Sequence, residues 1–364
     1  MRLLFEKRKS TSVTALVLVP VVSFLVSLVL TALLLQIFNA NPFTTFAAMA
    51  VGAFGSSHGF AETLVKAIPL MLTGLGVAIA FKLKFWNIGA EGQLTMGGVA
   101  AAGVALFLEP YLPGRFLLLG AILAGLVAGA LWAGIPAILK TSLGVDETLV
   151  TLMMNYIAIL YAEFLYYGPW RDPKGYGFPG SRMFPEDAWL PRIMGRAHAG
   201  IWVALVLAIV LWIVLKRTRW GYEIQIIGAS QKAARYQGIA VERNIVLAIM
   251  LSGALCGLAG AFEVTGISHR LQQGLSIGYG YTAIIVAWMS QLNPLAVPFV
   301  ALALAALAVG GDQVQMVMGL PAAMGVVMQG LILFPMLAGS LFTEYTLKVV
   351  GSEKSAVCYD QLKE

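Results

Sequence analysis

Apolar runs separated by short polar breaks organise the chain from end to end. A run of about 18 or more apolar residues is long enough to cross a hydrocarbon layer of about 30 Å as a helix. The pattern predicts helical spans over 14–38, 62–82, 92–108, 115–138, 148–168, 199–216, 245–263, 281–291, 294–311 and 321–347. The eighth and ninth are divided at Asn293-Pro294, because proline lacks a backbone donor and disfavours helix in the residue before it. The runs do not alternate apolar with polar residues as barrel strands do, which excludes a β-barrel. The expected fold is all-α: a polytopic membrane protein with about ten transmembrane helices, broken or re-entrant segments and a weak internal repeat.

Composition agrees and charge adds orientation. Of 364 residues 59% are hydrophobic and 12% charged, against about 25% charged in a soluble domain. Lys and Arg collect on the cytoplasmic side of short loops. With ten spans and Arg2, Lys7, Arg8 and Lys9 inside, sixteen of the 24 basic residues fall inside and eight outside, five of the eight in the loop 169–198. Both termini are therefore expected in the cytoplasm. The domain reading is a cytoplasmic amino end (1–13), one transmembrane domain (14–347) and a cytoplasmic tail (348–364). The first run follows basic residues as a signal peptide would, but it is about 25 residues long with no small-residue cleavage site after it, so it is read as a span.

Several chemistries find no support. Cys256 falls within a span and Cys358 in the tail, so no disulfide framework is expected. His58, His198 and His269 are too scattered for a metal site. No phosphate-cradling glycine loop ending in Gly-Lys-Ser/Thr is present, and no cofactor is expected on this chain. The net charge of +6 is read as membrane orientation and membrane lipid contact, with no nucleic-acid partner.

Polar residues inside such a chain mark its candidate sites. Trp86-Asn87-Ile88-Gly89-Ala90-Glu91-Gly92-Gln93 interrupts two apolar runs, and polar groups at membrane depth normally face a cavity or one another. Asn87, Glu91 and Gln93 either cap the third span or line a pathway. Ser276-Ile277-Gly278-Tyr279-Gly280 echoes this opening at the eighth span, and broken helices at matching places of a repeat are a transporter feature. Asn155 and Tyr156 lie mid-span, where the amide bonds a neighbouring helix or contacts a ligand, and Glu163 is expected near the outer surface and solvated. Glu263 precedes His269 and Arg270 by a short turn and invites a Glu–Arg pair at the rim. Tyr279, Tyr281 and Trp288 offer faces for a flat ring or an interfacial belt. Gly97, Gly98, Ala124, Gly125 and Gly129 read as helix-packing surfaces. An ion-coupled carrier would instead use Glu91 with Asp312; a membrane enzyme would need a convergent acid–base cluster that is absent.

The largest basic loop, 216–244, holds helix formers between Gly228 and Gly238, with Ser230 placed to cap the start and Gly238 to end it. Such a short helix either docks on a partner, exposing Ala233, Ala234 and Tyr236, or anchors the neighbouring spans to headgroups.

FWNIGAEGQL (85–94), DETLVTLMMNYIA (146–158), GYEIQIIGASQKAARYQGI (221–239), GLAGAFEVTGISHRLQQGLSIGYGYTAIIVAWMSQLNP (257–294) and QGLILFP (329–335) resemble permease subunits of bacterial ATP-binding-cassette importers. Within them the match is to the nucleoside and simple-sugar branch, related to ribose and branched-chain amino acid permeases. The resemblance implies a multi-pass protein of the bacterial inner membrane without enzymatic activity of its own. It implies cytoplasmic ATPase subunits that use ATP and Mg, a second permease subunit and an extracytoplasmic solute-binding protein as partners. It implies that Gly228, Ala229, Ser230, Ala233, Ala234, Arg235, Tyr236 and Gly238 form the ATPase-coupling segment. Asn87, Glu91, Gln93, Asn155, Glu263, His269, Tyr279 and Tyr281 become the candidates for the substrate pathway. Family members often carry Arg where this chain has Gln225 and Asn where it has Ser230, so an ATPase salt bridge from position 225 is not expected. A nucleoside or related purine or pyrimidine compound is the expected substrate, with ribose or another simple sugar as the alternative.

Overall fold

The computed structural model describes residues 2–7, 13–175, 177–275, 277–319 and 323–350. Its elements are β1 (Arg2–Lys7), α1 (Val13–Ile37), α2 (Pro42–Phe54), α3 (Ser57–Lys82), α4 (Ala90–Phe107), α5 (Arg115–Leu143), α6 (Glu147–Tyr167), β2 (Arg192–Met194), β3 (Ala197–His198), α7 (Gly200–Arg217), α8 (Arg219–Ala229), α9 (Gln231–Tyr236), α10 (Val241–Glu263), a π-helical turn (Val264–Ser268), α11 (Tyr279–Met289), α12 (Val297–Met318), α13 (Ala323–Glu344) and β4 (Tyr345–Val350). Each of the ten runs predicted as a span contains a helix among the described residues. Six described helices are long and apolar enough to cross a membrane, or up to seven if α1 and α2, bent by 113°, count as one broken span. The short α11 and the separate α12 bear out a break around Asn293-Pro294.

The chain divides into two compact units, residues 1–48 with 314–364, and 49–313. In the first, α1 packs on α13, and Ser27 Oγ donates to the Ile332 carbonyl at 2.8 Å. Strands β1 and β4 pair antiparallel, Arg2 opposite Val350. The last helix thus stops at Glu344 and a strand follows, where the apolar pattern predicts helix to residue 347. Cys358 and the tail from residue 351 lie outside the described residues, as do Arg8, Lys9 and Ser276.

In the second unit α3 and α10 are central. Their membrane-length windows are 89% and 78% buried, against 28% for α5 and 33% for α6 and α7. Glycine makes this possible: a Cβ at Gly97 of α4 or Gly129 of α5 would overlap the backbone of α10 at Gly257 or Gly253. Such close backbone approach is how helices associate where lipid supplies no hydrophobic drive. Hydroxyls within these helices satisfy themselves on their own preceding turn, as Thr73 does on the Pro69 carbonyl (2.6 Å) and Thr265 on Ala261 (2.7 Å). Ala124 is only half-buried, so the packing stripe on α5 runs through Ala121, Gly125, Gly129 and Ala133.

Candidate functional site

The break between α3 and α4 forms because Lys84 takes a left-handed conformation (φ 56°) and the chain turns through Phe85–Ile88. Gly89 sits at the N-cap of α4 and has no side chain to cap it. Two asparagines supply what it lacks. Asn87 Oδ1 accepts from the Gly89 amide (3.0 Å) and from Gln93 Nε2 (3.0 Å), while Asn87 Nδ2 donates to Ser252 Oγ on α10 (3.1 Å). Asn155, from α6, accepts from the Gly92 amide (2.8 Å) and donates to the Ile88 carbonyl (2.9 Å). Free amides at a helix start need acceptors, and here one comes from the break itself and one from α6, 63 residues away.

Glu91 faces the other way. Its Oε1 accepts from the Gly278 amide at 2.8 Å and its Oε2 from the Gly280 amide at 2.5 Å. Gly278 is the N-cap of α11, in a left-handed conformation (φ 93°) that favours glycine. One carboxylate therefore lies in the first turn of α4 and caps α11, where both helix dipoles favour a negative charge. A Cβ at Gly280 would overlap the Glu91 backbone, so that glycine permits the approach. Tyr281 OH is 3.3 Å from Asn155 Nδ2. Asn87, Glu91, Gln93, Asn155 and Tyr281 thus form one network, its first four members fully buried, and the two echoing Ile-Gly pairs meet across it.

The other ring candidates are dispersed. Tyr279 is buried, while Trp288 joins Phe81 and Trp86 in an aromatic trio with centroids 5.3–6.2 Å apart. Asp312 lies 2.5 Å from Lys66 Nζ and so belongs to an ion pair, not to a site with Glu91.

Glu263 and His269 belong to a second cluster at the π-helical turn. His269 takes a left-handed conformation (φ 52°) and stacks on Trp189, centroids 4.1 Å apart. Its Nδ1 is 3.0 Å from the Thr265 carbonyl and its Nε2 is 3.2 Å from Arg192. A carbonyl only accepts and a guanidinium only donates, so the ring is neutral with its proton on Nδ1. Burial, then the Arg192 charge, hold its pKa below the usual histidine range. His198, fully buried on β3, is pushed down to about 4 by burial, with a smaller contribution from His269. The expected Glu263–Arg270 pair does not form: Arg270 Nε donates to Gln272 Oε1 at 2.5 Å, and Glu263 makes no ion pair with a described residue. The loop before β2 covers the turn, with the Phe184 amide donating to the His269 carbonyl (2.8 Å) and the Leu190 amide to that of Thr265 (3.0 Å).

The basic loop holds two helices where the sequence predicts one. Ser230 caps α9 by accepting from the Ala233 amide at 3.3 Å, and Gly238 (φ 77°) ends it. Ala233 and Tyr236 are exposed, Tyr236 at 93%, but Ala234 is fully buried, which corrects its expected exposure. A six-residue helix lying on its neighbours must turn one face inward, and Ala234 is on it. Arg235 pairs with Glu242 at 2.7 Å. In α8, Gln225 Nε2 donates to the Leu215 carbonyl (2.8 Å), and Gly228 lies so close to the Lys82 carbonyl that a Cβ would overlap it. The loop is thereby joined to the end of α3, immediately before the break that carries Asn87 and leads into the first turn of α4 at Glu91. Ala229, at the last position of α8, separates that contact from the Ser230 cap.

A cavity of about 250 Å³ lies between α4, α6 and the segment before α11, lined by Thr95, Ile159, Ala162, Glu163, Tyr166 and Gln272–Leu275. Glu163 is half-buried there, four residues before the end of α6. Its signal was an acid near the end of an apolar run, followed at 272–273 by paired amides.

Residues 59–337 match the family described as branched-chain amino acid transport system / permease component. A glucose ABC transporter permease protein of Haloferax volcanii is 33% identical over 342 residues, 91% of this chain and 89% of that one. A guanosine ABC transporter permease protein of Bacillus subtilis is 32% identical over 308 residues, covering 84% and 88%. A nucleoside ABC transporter permease protein of Lactococcus lactis is 28% identical over 307 residues, covering 82% and 84%.

Proposed function

This chain belongs to the family of branched-chain amino acid transport system permease components, a multi-pass membrane protein and transport subunit rather than an enzyme, and from that premise we propose that it imports nucleosides or related purine and pyrimidine compounds. Its relatives that carry guanosine and nucleosides in their names support the substrate class. The relative named for glucose supports a simple sugar as the second reading.

The mechanism proposed is alternating access without covalent chemistry. The chain has about ten spans, counting α4 and the short α11, whose first turns share Glu91, with both termini in the cytoplasm of the inner membrane. ATPase subunits, using ATP and Mg, dock on α9. Closure of the ATPase pair then pushes α8 against the end of α3, and a second, different permease subunit forms the other wall of the path. An extracytoplasmic binding protein delivers the solute, so this chain need not hold it tightly.

The observation that carries the coupling is α9 itself, a capped knob presenting Ala233 and Tyr236 to solvent, while Gly228 of the preceding α8 lies against the Lys82 carbonyl at the end of α3. Asn87, Glu91, Gln93, Asn155 and Tyr281 are best read as the joint through which the push reaches α11, with Tyr279, Glu263 and His269 supporting the segment that leads into it.

The test is uptake of radiolabelled nucleosides into cells carrying the protein with its co-encoded partners, with and without an ATPase-dead subunit, while unlabelled ribose and leucine compete. ATP-dependent uptake competed only by nucleosides is expected. Competition by ribose alone moves the conclusion to a sugar, and uptake indifferent to the dead ATPase refutes ATP coupling. Ala233→Arg is expected to insert normally and abolish stimulated ATP hydrolysis.

A further inference from the structure

We propose that the cavity between α4, α6 and the segment before α11 is a subsite for a neutral solute bearing a vicinal diol, read by the carboxylate of Glu163. The inference rests on the proposed import of nucleosides or sugars and gives that reading a place.

Size comes first. At about 250 Å³ the cavity falls just below the roughly 300–1,000 Å³ of sites that enclose drug-sized molecules. It suits one pentose or hexose ring. The lining then selects the chemistry. A carboxylate in an apolar helix is costly unless it faces a cavity or a partner, and Glu163 makes no hydrogen bond or ion pair with a described residue. Its two oxygens are acceptors only, a geometry that suits two adjacent hydroxyl donors, as carboxylates bind the ribose hydroxyls of dinucleotides.

The surrounding groups complete the recognition. Gln272 has its oxygen occupied by Arg270 but keeps its Nε2 donors. Gln273 adds a whole amide and Tyr166 a hydroxyl. Thr95 gives its proton to the Glu91 carbonyl at 2.8 Å, leaving its oxygen as an acceptor. Ile159, Ala162 and Leu275 supply apolar contact for a ring face. No Lys or Arg is among the described residues that line the cavity, and Arg270 reaches it only through Gln272, so the carboxylate of Glu163 disfavours phosphates and carboxylates there relative to uncharged solutes. Because Thr95 lies one turn beyond Glu91, an occupant would touch the same helix that the α4–α11 junction holds.

The test uses the assembled complex of permeases, ATPase and binding protein in liposomes. Uptake of adenosine is compared with that of 2′,3′-dideoxyadenosine for wild type and for Glu163→Gln, with the binding protein held constant so that only the permease differs. The ratio of adenosine to dideoxyadenosine uptake is expected to fall about tenfold or more in the variant, because a site built for hydroxyls rejects the analogue lacking them. An unchanged ratio overturns the subsite while leaving import intact. Absence of ATP-dependent uptake of adenosine, ribose and glucose by wild type overturns the import reading and the subsite with it.

A second measurement needs no variant: modification of Glu163 in the wild-type complex by an apolar carbodiimide, read by peptide mass spectrometry. Protection by adenosine, ribose or glucose, and none by dideoxyadenosine or inorganic phosphate, is expected. Adenosine protecting at the lowest concentration assigns the diol to a nucleoside, and glucose doing so assigns it to a hexose. Equal protection by dideoxyadenosine and adenosine overturns the proposal.

Discussion

Replacing Glu91 by glutamine removes one acceptor while preserving size. The carboxylate accepts from Gly278 at 2.8 Å and from Gly280 at 2.5 Å, whereas an amide can accept with its oxygen only and turns an NH2 group toward the second donor. One charge-assisted bond, worth about 1.5–3 kcal/mol net, is lost. The negative charge at the start of α11 goes too, worth roughly 0.3–1 kcal/mol at an exposed helix end and up to about 2 in a partly buried one. The two terms describe the same charge and overlap, so the first turn of α11 should lose about 2–3 kcal/mol of local stability. At 1.36 kcal/mol per factor of ten, its amides should exchange with deuterium roughly 30- to 150-fold faster. Hydrogen exchange with mass spectrometry on peptides covering 277–285 reads this directly, and peptides from α5 should be unchanged. Exchange at Gly278 and Gly280 within a factor of about three of wild type, in a folded variant, would refute the shared-cap reasoning.

Three further outcomes follow from the same geometry. Gly228→Ala forces a methyl into the Lys82 carbonyl and should cost about 1–3 kcal/mol; a melting temperature equal to wild type would count against the α8–α3 contact. Gly129→Leu should separate α5 from α10, costing on the order of 3 kcal/mol or more and lowering the melting temperature in detergent; retention of wild-type stability would refute the glycine packing. His198, its pKa lowered to about 4 in the folded chain, stabilises fully above its unfolded value near 6.5, and that stability is lost as pH falls from there through 4 because the unfolded chain binds the extra proton. Acidification from pH 7 to 4 should therefore cost on the order of 3 kcal/mol, a loss that His198→Phe should remove; an equal loss in the variant would assign it to other groups.

Much of this architecture was legible in the chain. Segments 62–82 and 245–263 are apolar enough to be read as spans, and both prove to be central helices. Ser230 and Gly238 were readable because caps are local signals. Helix α2 is not legible as a span because its 13 residues fall short of a membrane-length run; yet Asn41-Pro42 is a start signal, and Asn41 Oδ1 does accept from the Phe43 amide at 3.0 Å. The burial of Ala234 was illegible, since six residues carry too little periodicity to define a face. The Ile-Gly echo marked both broken helices, but no local rule says that Glu91 should cap a helix nearly two hundred residues away. Glu263 and Arg270 looked like partners by proximity in sequence, and the left-handed turn at His269 sends them apart.

The shared cap also bears on how this chain can evolve. Glu91 and the amides it holds are 187 and 189 residues apart, so the two echoing halves are not free to drift separately. A larger residue at 280 displaces Glu91, and a residue without a carboxylate at 91 strands the amides of 278 and 280. Positions 91, 278 and 280 form one heritable unit, tolerating change in concert and resisting it singly.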